Sequence, residues 1–354
     1  MGPGPSNPYP EVQMALAAPI LGHLDPAFLK LLDETNDRLR RVFATANPLT
    51  LPISGTGSAG METSFVNFVR PGDPVVVGVN GVFGDRMCEV ASRLGATVVR
   101  VDAPWGEPLH PEEILSAHPS PAMIAVVHAE TSTGVRNDVA PLGEGKGDAL
   151  LVVDTVTSLG GMDVEVDAWG VDVAYSGTQK CLGVPPGLSP LTVSERARRR
   201  LIERPPSWYL DLTLLSRYVN DNPDGARVYH HTAPVAMVGA LHAGLGAILG
   251  EGIEAVWSRH AECGEFLQQG LVDLGLELLV EPEHRLPQLT TVRVPAGVDE
   301  AACRAELLHV YGIEIGAGAG QLAGQIWRIG CMGHTARRRN VVALLGALKE
   351  ALGR

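Results

Sequence analysis

Residues 149–180 read ALLVVDTVTSLGGMDVEVDAWGVDVAYSGTQK, and two β-rich runs in this stretch decide the fold. The first run, 149–153, is apolar at every position, and the second covers 171–175. A continuous apolar run of this length is typical of a strand that is buried on both faces of a sheet. Further runs of the same kind occur at 75–79, 97–101, 122–127 and 191–193. The sequence therefore predicts a central sheet that helices cover on both sides.

Helical patterns lie between these runs. Residues 24–44 repeat apolar side chains at helical spacing with charged residues between them, and residues 85–94 do so through Met87, Val90 and Leu94. An apolar repeat of this kind indicates an amphipathic helix. Alternation of strands and helices favours an α/β domain with a mainly parallel sheet.

The pattern changes after about residue 235. A long helical region is predicted at 234–274, broken at Gly250 and Gly252. The remaining predicted elements are strands at 276–280, 289–294, 313–315 and 325–329, a helix at 300–311 and a final helix from about residue 335. This order indicates a smaller α+β domain at the C-terminal end of the chain.

Composition excludes several classes of protein. The 354 residues are 45% hydrophobic and 19% charged, which excludes a globally disordered chain. A net charge of -12 makes nucleic acid or an anionic membrane an unsuitable partner, and the basic cluster 196–200 is expected to be a solvated helix face. We also expect no membrane span and no signal peptide, and the M-G-x-x-x-S start is interpreted as an accidental match to a myristoylation pattern. Five scattered cysteines without a CxxC pair favour a reduced, cytoplasmic protein.

The segment 54–62, SGTGSAGME, carries the spacing G-x-G-x-x-G. A dinucleotide-binding motif needs a clean strand before it and an acidic residue at the end of the next strand, but Pro52 interrupts the first and Asp73 precedes the second. The alternative is a phosphate cradle, in which Thr56 and Ser58 surround one phosphate at the N-terminus of a helix beginning near Gly60. Taken alone, the segment fits a plain glycine-rich turn equally well.

Two further residues follow predicted strands. Asp154 ends an apolar strand, where it either caps a turn or pairs with a cation such as a protonated pyridine nitrogen. Lys180 has small or apolar neighbours and precedes a Gly/Pro loop, so it is either a solvated loop lysine or a desolvated amine suited to imine chemistry. A phosphate cradle, then a strand-end Asp, then an isolated Lys is the order of parts that pyridoxal phosphate (PLP) requires.

The segment YHHT at 229–232 contains adjacent histidines, which suggests a metal site. Side chains at neighbouring positions point to different faces, so both histidines binding one ion is disfavoured and no metal is expected. Hydrogen-bonding roles for Tyr229 and Thr232 are the better interpretation.

At this point the sequence resembles the class V aminotransferases of PLP fold type I, in particular the alanine–glyoxylate (serine–pyruvate) aminotransferases. The motifs that carry the resemblance run over nearly the whole chain: GPGPSN (2–7), GHLDP (22–26), NPLTL (47–51), SGTGSAGME (54–62), VNGVFGDR (79–86), TSTGV (131–135), VDTVTSLGG (153–161), YSGTQK (175–180), PPG (185–187), SWYLDL (207–212), YHHTAPV (229–235), LPQLTTVRVP (286–295) and WRIGCMG (327–333).

The resemblance implies a seven-stranded type of sheet in a large PLP-binding domain at 21–250, an N-terminal segment at 1–20 near the active site, and a small domain at 251–354. It also implies a homodimer with shared active sites. By this resemblance, Lys180 binds the cofactor covalently, Asp154 pairs with its pyridine nitrogen and Thr131 binds its phenolic oxygen side. The residues implied to hold the phosphate are Thr56, Gly57, Ser58 and Gln179, together with Tyr229 and Thr232 of the other subunit. Arg328 is implied to bind the substrate carboxylate.

Three positions depart from the family pattern, which often has Trp at Phe83, His at Ser58 and Ser at Thr131. Phe83 still offers a ring that stacks on the pyridine, with less area than Trp.

The implied reaction is transamination between alanine or serine and glyoxylate or pyruvate. Three alternatives remain. The first is a ureidoglycine–glyoxylate or aminophosphonate aminotransferase, and the second is a PLP lyase or desulfurase; a desulfurase would use a loop cysteine, for which Cys331 is the candidate. The third is a catalytically silent PLP-binding protein. For Arg328, a structural ion pair with a core carboxylate is the alternative to substrate binding.

Overall fold

A computed structural model of the protein describes residues 1–219 and 227–353. Its strands are β1 (Leu49–Ser54), β2 (Pro74–Val79), β3 (Thr97–Asp102), β4 (Met123–Val127), β5 (Ala129–Glu130), β6 (Val135–Arg136), β7 (Leu150–Asp154), β8 (Val173–Tyr175), β9 (Leu188–Val193), β10 (Leu289–Arg293), β11 (Gly316–Ala317) and β12 (Ile326–Gly330). Its α-helices are α1 (Pro10–Leu16), α2 (Pro26–Val42), α3 (Gly57–Val66), α4 (Val82–Arg93), α5 (Pro111–Ser116), α6 (Ala140–Gly145), α7 (Glu195–Arg198), α8 (Leu212–Tyr218), α9 (Val235–Glu251), α10 (Ile253–Asp273), α11 (Glu300–Tyr311) and α12 (Arg338–Ala351). Short 3₁₀ turns occupy Pro282–His284, Gly320–Leu322 and Gly333–Thr335.

Within the described residues, the central sheet has seven strands in the order β1-β9-β8-β7-β4-β2-β3. The pairs from β3 through β8 are parallel, whereas β9 runs antiparallel to both β8 and β1. This confirms the predicted α/β class and mainly parallel sheet. Pro52 lies in β1 at the edge of the sheet, the place where a strand tolerates proline. Because β1 pairs only through the antiparallel β9, the glycine-rich segment after it does not open a parallel βαβ unit.

The apolar runs are continuous because both faces of the sheet are buried. Along β4, Ile124 and Val126 face a core that includes α2 and α9. Met123, Ala125 and Val127 face a second core that includes α3, α4 and α8. Each strand thus contributes alternate side chains to two separate apolar layers, as expected for a sheet between helices.

The helical region predicted at 234–274 is two helices, α9 and α10, which meet at an angle of 84°. The break is at Gly252, whose φ of +95° suits glycine, while Gly250 lies inside α9. Among the described helices, none is by itself both long and apolar enough to cross a membrane; the bent pair passes that test of length and composition only when taken together.

A three-stranded sheet, β10-β12-β11, lies in the C-terminal part of the chain and shares a core with α10, α11 and α12. The prediction of a strand at 276–280 is wrong. In this segment only Leu278 forms a β-bridge, to Val292, and the 3₁₀ turn at Pro282–His284 follows. The strand predicted at 313–315 is replaced by β11, and the final helix begins at Arg338 because a 3₁₀ turn precedes it. The domain boundaries stay a prediction.

The expectation of a solvated basic face at 196–200 is wrong for Arg196. Its Nε donates to Oδ1 of the buried Asp172 at 2.9 Å, and the Lys146 amine lies 2.6 Å from Oδ2 of the same carboxylate. A buried carboxylate needs such partners, because an isolated buried charge is costly.

Candidate active site

The carboxyl ends of β2, β4, β7 and β8 meet at one edge of the sheet, because these strands are parallel. In open α/β sheets this edge forms the crevice where ligands bind. Phe83 follows β2, Thr131 follows β4, Asp154 ends β7 and Lys180 follows β8. The end of β1 reaches the same edge, since Ser54 pairs with Leu188 at the start of β9. The fold therefore brings most of the predicted site residues together.

Asp154 is 3% exposed and is held by two hydrogen bonds. Oδ1 accepts the backbone N–H of Val156 at 2.7 Å, and Oδ2 accepts the hydroxyl of the buried Tyr175 at 2.8 Å. Burial raises the pKa of the Asp154 carboxyl to about 7 against the effect of these hydrogen bonds. A cation placed beside Asp154 would stabilise its ionised form, so the site suits a positively charged partner.

Lys180 is 9% exposed, which is the desolvation that its small and apolar neighbours predict. Burial lowers the pKa of its amine to about 8, and the positive charge of Arg328 adds to the shift. The amine donates to the backbone oxygen of Pro3. The N-terminal segment is also tied to this loop by Ser6, whose hydroxyl donates to the oxygen of Lys180 at 2.6 Å.

The predicted phosphate cradle lies at the start of α3. The helix begins at Gly57, three residues earlier than expected, and the extended Thr56 makes no capping hydrogen bond with its side chain. The Gly57 position is close-packed: a Cβ there would lie 2.8 Å from Cγ2 of Val156. Thr56 and Ser58 are exposed, and Nη1 of Arg86 donates to the Ser58 hydroxyl at 3.2 Å. An uncapped helix N-terminus with hydroxyls beside it suits an anion.

Gln179 presents a buried side-chain oxygen, Oε1, with no hydrogen-bond partner among the described residues. An orphaned acceptor needs a donor, so a phosphate would take its hydrogen bond from the amide Nε2 of Gln179 and not from this oxygen. The uncapped α3, the low-pKa amine and the buried carboxyl together fit PLP. Thr56, Gly57, Ser58 and Gln179 would hold its phosphate, Lys180 its aldehyde carbon and Asp154 its ring nitrogen.

Thr131 is buried beside this group, and its hydroxyl shares a hydrogen bond with that of Thr157. Its backbone oxygen accepts from Nη1 of Arg328 at 3.4 Å. Phe83 lies in the first turn of α4 with its ring half-buried, and the Arg86 guanidinium is 5.0 Å from the ring centroid.

Arg328 lies in β12, half-buried, opposite Thr291 of β10 and Gly316 of β11. Its Nε donates to the backbone oxygen of Ala317 at 2.7 Å. Among the described residues it has no carboxylate within salt-bridge distance, which disfavours the structural ion pair as its role. Burial lowers the pKa of this guanidinium, and such a cation attracts an external anion.

Tyr229 and Thr232 are exposed, and their hydroxyls are 3.3 Å apart. The Tyr229 ring lies 5.2 Å from that of His23. His231 contacts Ser54 at 3.1 Å, and His230 is near the backbone oxygen of Tyr209. In the part of the chain that the structure describes, no group of three His, Cys, Asp or Glu side chains is arranged to hold a metal ion.

Cys331, the candidate loop thiol, is fully buried. The neighbouring Cys263 thiol and burial raise its pKa, which opposes formation of a nucleophilic thiolate. The desulfurase alternative is therefore unsupported at this residue.

Sequence reasoning missed Glu130 and Tyr175. Both are fully buried at the same edge of the sheet, and Tyr175 donates to Asp154. Tyr175 carried the signal that found Asp154, a polar side chain at the end of a buried strand, whereas two residues separate Glu130 from the end of β4. The functional roles of all these side chains stay predictions.

Comparisons with known proteins agree with this geometry. The chain matches the family model "Aminotransferase class-V" over residues 15–334. It is 39% identical to an alanine–glyoxylate aminotransferase of Drosophila melanogaster, covering 99% of this chain and 91% of the relative. It is 37% identical to a (S)-ureidoglycine–glyoxylate transaminase of Bacillus subtilis, covering 99% and 90%. A crystal structure of alanine–glyoxylate aminotransferase from Nostoc sp. superposes with a TM-score of 0.96 at 48% identity, covering 99% and 94%. These matches confirm the expected PLP fold type I.

Proposed function

The chain belongs to the class V aminotransferase family, and from this premise we propose that it transfers an amino group between alanine or serine and glyoxylate or pyruvate. The names of its relatives support an acceptor of this size, since two of them act on glyoxylate. The family implies PLP as cofactor, and the residues at the sheet edge fit it.

Arg328 is the observation that carries the proposal. A half-buried guanidinium with two backbone oxygens as partners keeps N–H donors for a planar carboxylate. The positive charge of Arg328 lowers the pKa of the Lys180 amine, which supports a site where Arg328 binds the carboxylate of an amino acid or oxo acid near that amine.

Lys180 performs the proton transfers in this proposal. PLP, when bound, supplies a ring that withdraws electrons from Cα of the substrate. A lysine amine with a pKa of about 8 is partly neutral near neutral pH, and only the neutral form accepts a proton from Cα. The carbonyl of Pro3 orients this amine and covers it from solvent.

Asp154 holds a proton at the ring nitrogen. Tyr175 and the Val156 amide fix its two oxygens, so the carboxylate does not reorient during the reaction. Support for this role comes from the burial of Asp154, which strengthens its interaction with a neighbouring cation.

The active form is proposed to be a homodimer in which Tyr229 and Thr232 reach the phosphate of the neighbouring site. Both are exposed in the single chain, together with Trp208 and Val228, which supports a covered surface in the assembly.

The proposed compartment is the reducing cytoplasm, which the five free cysteines support.

A screen of amino donors tests the proposal. The half-reaction of each donor with the PLP-loaded protein is followed by absorbance, using alanine, serine, aspartate, glutamate, (S)-ureidoglycine and an aminophosphonate. Alanine or serine should react fastest, with glyoxylate or pyruvate completing the cycle. A faster ureidoglycine or aminophosphonate reaction would move the chain to those alternatives, and loss of the Cα substituent would identify a lyase.

Arg328→Lys makes the test specific. Lysine keeps the charge but loses the two-pronged geometry, so KM for both substrates should rise roughly tenfold or more. Arg293→Lys is the matched control, because Arg293 is an exposed arginine in β10 that pairs with Glu277. An unchanged KM in Arg328→Lys would remove the carboxylate role.

A further inference from the structure

Glu130 is a carboxyl group at the candidate site that the proposed chemistry does not use. It is 0% exposed, and Oε1 accepts the backbone N–H of Ser132 at 3.0 Å and the Ser132 hydroxyl at 2.6 Å. Oε2 accepts the backbone N–H of Phe83 at 3.2 Å. Glu130 therefore joins the loop after β4 to the first turn of α4.

All of these partners are donors, so the arrangement suits an ionised carboxylate. Burial raises the pKa of Glu130, and the hydrogen bonds from Ser132, Phe83 and Gly84 oppose that shift. A protonated acid would lose one of these accepted hydrogen bonds, because the backbone N–H groups of Ser132 and Phe83 cannot accept its hydrogen.

Helix α4 needs partners of this kind, because its N-cap residue is Gly81, which has no side chain to cap the helix. Ser132 adds a second partner, since its hydroxyl oxygen accepts the Val82 N–H at 2.9 Å. Glu130 and Ser132 thus cap α4 from a neighbouring loop, and a negative charge there also suits the helix dipole.

The turn at Gly81 is packed closely against this cap. A Cβ at Gly81 would lie 2.3 Å from Cδ of Glu130 and 2.5 Å from the Ser132 hydroxyl oxygen. The turn between β2 and α4 therefore rests directly on the carboxylate, and the backbone of Phe83 is fixed with it.

We propose that Glu130 is a positioning residue: it caps α4 from the adjacent loop and so fixes the Phe83 ring against the cofactor's pyridine. The inference rests on the proposed function, and in particular on the stacking role of Phe83. The Arg86 guanidinium over the same ring donates to Ser58, which links this turn to the phosphate cradle.

A double-mutant cycle tests the proposal. Wild type, Glu130→Gln, Phe83→Leu and the double variant are prepared without cofactor, and each is titrated with PLP by absorbance and by visible circular dichroism. Glu130→Gln should raise the PLP dissociation constant roughly tenfold, the scale of a lost hydrogen bond to a charged group, and change the dichroism of the bound ring. In the Phe83→Leu background, the same substitution should add less than about a twofold change, because its effect passes through the missing ring.

Asp299→Asn is the control, since Asp299 is the N-cap carboxylate of α11 and accepts the Ala302 N–H at 3.0 Å. Because asparagine caps a helix about as well as aspartate, this variant should change thermal stability little and leave the affinity for PLP and the dichroism of bound PLP unchanged. Should Glu130→Gln fail to fold, Ser132→Ala replaces it; removing one hydroxyl of the cap should change the dichroism in the same direction, and again only when Phe83 is present.

Two results would overturn the inference: equal losses of affinity with and without the Phe83→Leu substitution, or unchanged PLP affinity and dichroism in a folded Glu130→Gln or Ser132→Ala protein. Wild-type protein that binds no PLP would instead refute the proposed function itself, so the two failures are distinguishable.

Discussion

The surroundings of Lys180 set the pKa of its amine. Burial and the charge of Arg328 lower the pKa of its amine from 10.5 to about 8. At pH 8 about half of such amines are neutral, whereas an ordinary lysine is almost entirely charged. The other lysines differ: Lys30 and Lys349 are exposed, and Lys146 is paired with Asp172.

Borohydride reduction of the PLP-loaded protein should therefore fix the cofactor to a single peptide that contains Lys180. The rate at which the cofactor-free protein takes up PLP should rise with pH and level off above about pH 8, because the neutral amine is the reactive form. Peptide mapping and the absorbance of the adduct provide the measurements. Labelling of Lys30, Lys146 or Lys349 would contradict the assignment, and Lys180→Ala is the control that should take up no label.

Sequence reasoning anticipated the burial of Lys180 but not the contacts of Glu130, and the difference has a physical reason. The neighbours of Lys180 in the sequence predict its burial, because they are small or apolar. The role of Glu130 depends on an N–H of Phe83, 47 positions away, and on a glycine at position 81 that leaves room for the carboxyl. Such a contact exists only once the sheet has aligned the ends of β2 and β4.

At the scale of elements, two helices begin at the same edge of the sheet and differ in their N-termini. The start of α4 is filled by the Glu130 carboxylate, whereas Thr56 leaves the start of α3 without a side-chain cap. The free end is the one that suits an anion, which favours α3 as the phosphate site. The sequence predicted the cradle but placed the helix start near Gly60, since glycines alone do not reveal where helical hydrogen bonding begins.

Gly57→Ala should accordingly weaken PLP binding. The added methyl would lie 2.8 Å from Val156, so α3 or the loop after Asp154 must shift, at a cost of about 1–3 kcal/mol in unfolding free energy. PLP titration and thermal unfolding measure the two effects. Gly346→Ala in α12 is the matched control: nothing lies within 4 Å of its new Cβ, so stability should rise by about 0.5–1 kcal/mol with unchanged PLP affinity. Normal PLP affinity in Gly57→Ala would argue against the cradle.

The β-rich runs gave the central sheet because burial on both faces leaves a continuous apolar pattern. The run at 276–280 is also mostly apolar but contains Glu277, and it forms only one bridge among the described residues. Hydrogen bonds from the Leu279 N–H to the Thr291 oxygen and from the Arg293 N–H to the Glu277 oxygen flank that bridge. Apolar content predicts burial, but the length of a strand depends on where its partner ends.

At the scale of the whole molecule, the fold of a single chain does not explain why large apolar side chains around Tyr229 are exposed. Trp208 is 62% exposed, Tyr229 51% and Val228 46%, which leaves large apolar side chains in water. Self-association through this surface would bury them and bring Tyr229 and Thr232 to a second site. Within the described residues, the hydrogen bonds of these two hydroxyls do not hold the fold together. Their role is therefore tested by measuring activity in assembled dimers.

Mixed dimers provide that test. Lys180→Ala removes the amine of its own site, and the double variant Tyr229→Phe/Thr232→Ala weakens only the site of its neighbour if sites are shared. Each parent alone should then have little or no activity. After subunit exchange at equal amounts, activity should recover to about a quarter of wild type, because half of the dimers are hybrids and each hybrid keeps one complete site. Sizing columns confirm that both parents dimerise. If the parents associate but their mixture stays inactive, each chain completes its own site, and the exposure of Tyr229 and Thr232 must be explained by another partner.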